Sequence, residues 1–382
     1  RFTTDNKLYG YLNYPAPNIY SFKTSWTFTD VSAWYHILMQ VDTNDSTASE
    51  RFKLYVNGVR QTLSNTAYTN MPQWFQTPMW NTTLHTIWKQ VNASSGYFDG
   101  YLAEVNFIDW LVVLPSNFWE TISSVWKPKE YTASYWTNWY KLNFSNANSL
   151  WTDSSWNWNN WNLNSIVSGD QTIDSPTNNF ATLDANLTAW SITLSEGNTK
   201  SITSANTTAT WGTRGVSSGK WYFEVDVVDF VSGWWTSIWL WTNNQLDSTA
   251  INDSLVISTY NGNKYEDGSG AGYGSSFNDG DIIMVAFDVD ANKAWFGKNG
   301  TWFASWNPSS GTNDTGYSLP ASPVKSLLYR GWSYNETHVH NFWQDSSFAW
   351  YKTKQNNSDS NWVWDFYYTP PTWFLALSSS NM

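Results

Sequence analysis

Short runs rich in Val, Ile, Tyr, Phe and Trp recur along the chain, each bounded by Asn, Asp, Gly or Ser, and no long capped stretch of 3.6-residue period interrupts them. This pattern leaves antiparallel β-structure as the main way to pair the backbone. Phe52–Val56, then Asn57-Gly58, then residues 59–61 reads as a hairpin, because Asn-Gly suits the two positive-φ positions of a type I′ turn. Residues 97–108 and 221–228 alternate well enough for longer strands, and 282–289, 290–293 and 294–296 read as strand, turn, strand. Many short strands separated by turn signals predict β-sandwiches.

Charge and residue usage narrow the function. With 20 Lys+Arg against 31 Asp+Glu the formal net charge is −11, and no basic cluster is present. That argues against an electrostatic surface for nucleic acid or anionic lipid. No apolar run approaches the ~20 residues of a membrane-spanning helix. The absence of Cys removes thiol nucleophiles, disulfides and thiolate metal sites. A chain opening on Arg1 rather than Met is expected to begin inside a longer protein.

Two parts of the chain resemble known families. Residues 31–126 resemble the C-terminal part of a laminin-G/concanavalin-like lectin domain, through Ser32-Ala33-Trp34-Tyr35-His36, Val41-Asp42-Thr43, Lys53-Leu54-Tyr55-Val56-Asn57-Gly58 and Phe98-Asp99-Gly100-Tyr101-Leu102-Ala103-Glu104-Val105. Residues 195–345 resemble a SPRY domain, through Ser218-Gly219-Lys220-Trp221-Tyr222-Phe223-Glu224-Val225, Gly280-Asp281-Ile282-Ile283 and Trp295-Phe296-Gly297-Lys298-Asn299-Gly300-Thr301-Trp302. The resemblance implies an all-β protein of two antiparallel, jelly-roll-like sandwiches. The expected organisation is a lectin-like domain over 1–126 lacking its early strands, an Asn/Ser/Trp-rich connector over 127–194, a SPRY domain over 195–345 and a C-terminal extension over 346–382. The whole arrangement, closed by Tyr368-Thr369-Pro370-Pro371-Thr372, looks like structural or fibre-associated proteins of tailed bacteriophages.

The 30 Trp of the chain do not fit that picture evenly. Trp34, Trp126, Trp161, Trp221, Trp295 and Trp302 match family Trp. At sixteen other positions the families carry Gly: Trp88, Trp110, Trp119, Trp136, Trp139, Trp151, Trp156, Trp158, Trp190, Trp239, Trp241, Trp306, Trp343, Trp362, Trp364 and Trp373. Several follow Asn or Asp, where a turn wants Gly at positive φ. The expectation is that a codon read as Gly in the source genome, such as a reassigned UGA, stands here as Trp. The rival reading is a set of real rings that stack on sugars.

Candidate chemistry is sparse. Glu224-Val225-Asp226-Val227-Val228-Asp229 resembles the Glu-x-Asp-x-x-Glu signature of laminarinase-type glycoside hydrolases, with Asp in the last place. Alternation puts Glu224 and Asp226 on one strand face, and a bulge could bring Asp229 to it. Acidic residues on a half-exposed sandwich strand are the simpler reading, so no catalytic residue is assigned. Asp288-Val289-Asp290-Ala291-Asn292 lacks the Gly and Glu of a calcium loop and reads as a hairpin turn. Asp42, Asn44 and Asp45 could ligate Ca²⁺, the one cofactor considered. His338 and His340 share a strand face without a third metal ligand, and His36 sits in an apolar run. Tyr265 and Trp332 are the SPRY-side candidates for ligand contact, by analogy alone.

The expected function is non-enzymatic: a virion-surface or extracellular fibre or decoration component. It would form homo-oligomers, a filament or a virion assembly, and adhere to cell-surface glycans through loop aromatics and Asn/Asp side chains, with no nucleic-acid partner and no membrane insertion. A bacterial extracellular filament or adhesin subunit is the alternative, and a glycoside hydrolase using Glu224, Asp226 and Asp229 the second.

Overall fold

The computed structural model describes residues 2–13, 19–30, 33–80, 84–87, 98, 100–122, 125–162, 164, 166–189, 192–203, 206–230, 237–241, 254–266, 269–316, 318–319, 324–332, 336–362 and 364–382. The described structure is all-β, and every helical turn in it is a three- or four-residue 3₁₀ segment. The chain divides into two compact units, residues 1–164 and 165–382. The division falls inside the 127–194 stretch expected as a connector.

The first unit is built from small sheets. Tyr9–Asn13, Ile19–Thr24 and Leu63–Asn65 form one, and Ile37–Val41, Phe52–Val56 and Val59–Arg60 another. The Asn-Gly hairpin forms as its sequence requires, with Asn57 at φ 47° and Gly58 at φ 76°. Alternation along Phe52–Val56 buries Phe52, Leu54 and Val56 against Tyr20, Phe22, Tyr68 and Met71. The long strand expected over 97–108 is reduced to Val105–Phe107, with residues 97 and 99 outside the described set. Its partner is Tyr140–Leu142, so part of the expected connector belongs to this unit's sheet structure.

Asp153 organises the polar loop that follows. Its carboxylate accepts the amides of Lys141 (2.9 Å), Ser155 (2.9 Å) and Asn159 (3.0 Å). Asn157 and Asn159 donate from their side chains to the carbonyl of Trp139. The Asn/Ser composition therefore marks an internally bonded loop, in which short side chains satisfy backbone groups that no strand pairs.

The second unit contains two eight-stranded sheets. In the first, Leu183–Ala189, Asn206–Gly212, Val324–Trp332, Ser237–Trp241, Ser254–Ser258, Lys264–Glu266 and Ser269–Ala271 lie in that order, with Gly215–Val216 on Val324–Trp332. In the second the order is Ile192–Ser195, Lys200–Thr203, Thr337–Asn341, Lys220–Asp229, Ile282–Asp288, Lys293–Lys298 and Thr301–Trp302. Trp221, Phe223, Val225 and Val227 face a core shared with Ile238, Leu240, Leu255 and Ile257 of the other sheet. The expected strand, turn, strand over 282–296 is present, its turn tied by Ala291 N–H to Asp288 Oδ1 (2.9 Å).

Lys220–Asp229 is buried on both faces from Trp221 to Val227, which corrects the expectation of a half-exposed strand. The cause is the C-terminal segment, which packs back onto the second sheet. Leu375–Ala376 pairs in parallel with Trp221 and Tyr222, along the edge that Thr337–Asn341 leaves after Glu224. Phe180, Trp343, Phe366, Phe374 and Ala376 then enclose Tyr222, Met284, Ala286 and Trp295 in a second core.

Candidate functional site

Glu224 and Asp226 project from Lys220–Asp229 away from the main core, as alternation from Phe223 and Val225 requires. The space they enter is roofed by residues 341–368. Glu224 is fully buried, and its carboxylate accepts four hydrogen bonds. Oε1 takes the Tyr222 hydroxyl (2.8 Å) and the Tyr368 amide (2.7 Å), and Oε2 takes the Tyr367 amide (2.8 Å) and Asn341 Nδ2 (3.3 Å). Burial pushes its pKa up to about 7, against the four donors, which pull it down. The same surroundings raise the Tyr222 hydroxyl well above its usual range, through burial first and the Glu224 charge second.

Asn341 ties this carboxylate to the chain that follows. Its Nδ2 also donates to the Asp365 carbonyl (2.8 Å), while its Oδ1 accepts the amides of Trp343 (2.8 Å) and Asp345 (3.2 Å). The Ser346 hydroxyl donates to Asp365 Oδ1. Lys354 stands 3.6 Å from Asp345 and 3.5 Å from Asp365. The result is a charged and hydrogen-bonded clamp that folds 341–368 over the sheet.

Asp226 is 1% exposed and pairs with Lys352 Nζ at 3.4 Å. Lys352 also donates to the Gly280 carbonyl (2.6 Å). Burial raises the Asp226 pKa to about 6, with Lys352 opposing. The bulge required to move Asp229 exists, since the register against Thr337–Asn341 slips between Val227 and Asp229. Asp229 lies beyond it at the exposed end of the strand. The structure thus brings Glu224 and Asp226 together under one roof, and leaves Asp229 outside.

His338 and His340 pair with Val227 and Val225 and are buried on the core side. His340 stacks on Phe342 at 5.8 Å. Burial lowers both to a pKa of about 3, so they are neutral packed imidazoles. His36 is likewise lowered by burial.

Asp42, Asn44 and Asp45 form a capped turn. Asp42 Oδ1 accepts the Asn44 amide (3.0 Å), Asp45 Oδ1 accepts the Thr47 amide (2.8 Å), and Arg51 Nε donates to the Asp45 carbonyl (2.8 Å). Among the described residues, no group of three His, Cys, Asp or Glu is placed to hold a metal. Tyr265 lies half-buried in Lys264–Glu266 with its ring over Gly270, where a Cβ would come within 2.4 Å of it. Trp332 ends Val324–Trp332 opposite Asn206, and its side chain lies outside the described set. They occupy different strands of the same sheet, with Ser237–Trp241 and Ser254–Ser258 between.

The sequence sets 346–382 apart as an extension that packs back or contacts a neighbour, but it does not place residues 341–368 over Glu224 and Asp226. The sheet partner of Tyr367 and Tyr368 lies 143 and 144 residues earlier. The available signal was Glu224 itself, a carboxylate between apolar neighbours on a strand.

No family model and no curated protein matches the chain. Among solved structures, the SPRY domain of human HERC1 is similar at 20% identity, covering 41% of this chain and 96% of that chain with a TM-score of 0.31. A second human SPRY domain is similar at 22% identity, covering 39% of this chain and 93% of that chain, also at 0.31.

Proposed function

We propose that the protein is a non-enzymatic structural component of a virion surface or other extracellular assembly, which self-associates and adheres to glycans through its loops. The observation that carries the non-enzymatic part is the state of Glu224. All the donors around it belong to the fold, and two of them are backbone amides of the covering segment. A catalytic carboxylate must reach substrate, whereas this one is consumed in closing a sheet. The sequence resemblance to fibre-associated modules supports the assembly part, and rigid sandwiches with loops at their ends suit adhesion.

Negative-stain electron microscopy together with light scattering tests the assembly reading. Rings, fibres or particle-bound decoration are expected, and a monodisperse monomer at micromolar concentration contradicts it. A glycan array tests adhesion.

The hydrolase reading has one observation in its favour, the raised pKa values of two neighbouring carboxylates. Release of reducing sugar by the wild type, abolished in a folded Glu224→Gln variant, would establish it.

A further inference from the structure

We infer that the tryptophans standing at left-handed backbone positions are glycines in the functional protein, because the organism that makes it reads their codon as Gly. This inference is independent of the proposed function.

Backbone conformation is the first observation. Among the described residues eight Trp have positive φ: Trp74 (65°), Trp110 (64°), Trp156 (70°), Trp158 (61°), Trp343 (117°), Trp350 (75°), Trp362 (62°) and Trp373 (71°). Among the described residues only two Phe and no Tyr share that region, although the chain has 20 Phe and 22 Tyr. Aromatic bulk therefore does not explain it, since a large side chain in this region is a steric outlier. The six Trp that match family Trp all lie outside it, whereas six of the sixteen at Gly positions, Trp110, Trp156, Trp158, Trp343, Trp362 and Trp373, lie within it.

Turn geometry is the second. Pro72-Gln73-Trp74-Phe75 and Pro371-Thr372-Trp373-Phe374 are the same turn in two units. The fourth amide bonds the first carbonyl in each, at 3.3 and 3.0 Å, and Trp occupies the third place. A type II turn gives that place to Gly, the residue that reaches positive φ without steric cost. In both, the following Phe turns inward, Phe75 beside the first unit's core and Phe374 within the second core of the other unit, while the indole stands exposed.

The third observation is hydrogen bonding. Trp221 and Trp295, which match family Trp, donate their indole N–H to the carbonyls of Ser218 and Asn313. Trp119, Trp139 and Trp343, which stand where the families carry Gly, bury an indole N–H with no acceptor among the described residues. A buried Trp normally finds one. One codon translated as Trp in one code and as Gly in another gives this distribution. It changes scattered turn positions and spares the tryptophans encoded in the ordinary way.

Peptide mass spectrometry on the protein isolated from its natural source is the direct test. Gly is expected at 110, 158, 362 and 373, and Trp at 221 and 295. Trp at 110 and 362 in those peptides overturns the inference. A recombinant chain as written provides a second readout. Trp110→Gly, Trp362→Gly and Trp373→Gly should each raise Tm, by roughly 2–4 °C per relieved site, while Trp221→Gly should lower it. A fall in Tm at all three turn sites also overturns the inference.

Discussion

The two faces of Lys220–Asp229 are buried to the same degree by opposite means. Trp221, Phe223, Val225 and Val227 meet a facing sheet, and their side chains need nothing but close packing. Tyr222, Glu224 and Asp226 meet a segment that arrives from far along the chain, and the two carboxylates hold it by directed bonds while the Tyr222 hydroxyl braces Glu224. The first face accepts any apolar partner of suitable volume. The second accepts only a backbone that presents two consecutive amides at the position of the Glu224 carboxylate. An apolar face thus supplies stability, and a polar one selects which segment covers it.

The difference can be broken most severely from the apolar side. Phe223→Ala empties the centre of the main core and should destabilise the second unit by about 3–5 kcal/mol, read by urea or thermal unfolding. Glu224→Ala strands the Tyr367 and Tyr368 amides and the Tyr222 hydroxyl, and should cost about 1–3 kcal/mol. Its specific mark is early proteolytic cleavage within 343–377, which Phe223→Ala should not produce at equal residual stability.

A change of pH sharpens the contrast. Burial raises the folded pKa of Glu224 to about 7, above its ordinary value, so the protonated form belongs to the folded state. Its contribution is fully present below the unfolded pKa near 4.5 and is lost as pH rises through about 7. The two histidines act oppositely, since lowering to about 3 makes their contribution present above pH 6.5 and lost as pH falls. Comparing the wild type with Glu224→Gln cancels the histidines. Chemical denaturation at pH 5 and pH 8 should show the variant gaining relative to wild type at the higher pH. The smallest effect is expected from Lys354→Ala, which removes two ion pairs from a side chain 35% exposed and should cost at most about 1 kcal/mol.

Local chemistry was legible in the sequence. Asn57-Gly58 fixed its hairpin because both residues tolerate positive φ, and apolar alternation marked Phe52–Val56, the strand at 221–228 and the pair over 282–296. Strand alternation also placed Glu224 and Asp226 on one face. Their burial was not legible, because it depends on Tyr367, Tyr368 and Lys352, and no periodicity couples residues so far apart. Residues 97–108 show the converse failure: alternation extends over twelve positions, yet pairing with Tyr140–Leu142 engages three of them. The polar stretch near Asp153 misled in another way, since Asn and Ser serve an ordered loop as readily as a linker.

The parallel pairing of Leu375–Ala376 with Trp221 and Tyr222 also sets a timetable. The ribosome delivers Lys220–Asp229 and Ile282–Asp288 well before Thr337–Asn341 and the covering segment that follows it directly. Until synthesis has passed Tyr368 the Glu224 carboxylate lacks the two backbone amides that enclose it, and until Lys352 is made Asp226 lacks its ion-pair partner. Completion of the fold is thereby linked to completion of the segment, and a nascent chain stopped short of Tyr368 displays a surface that the finished protein never shows.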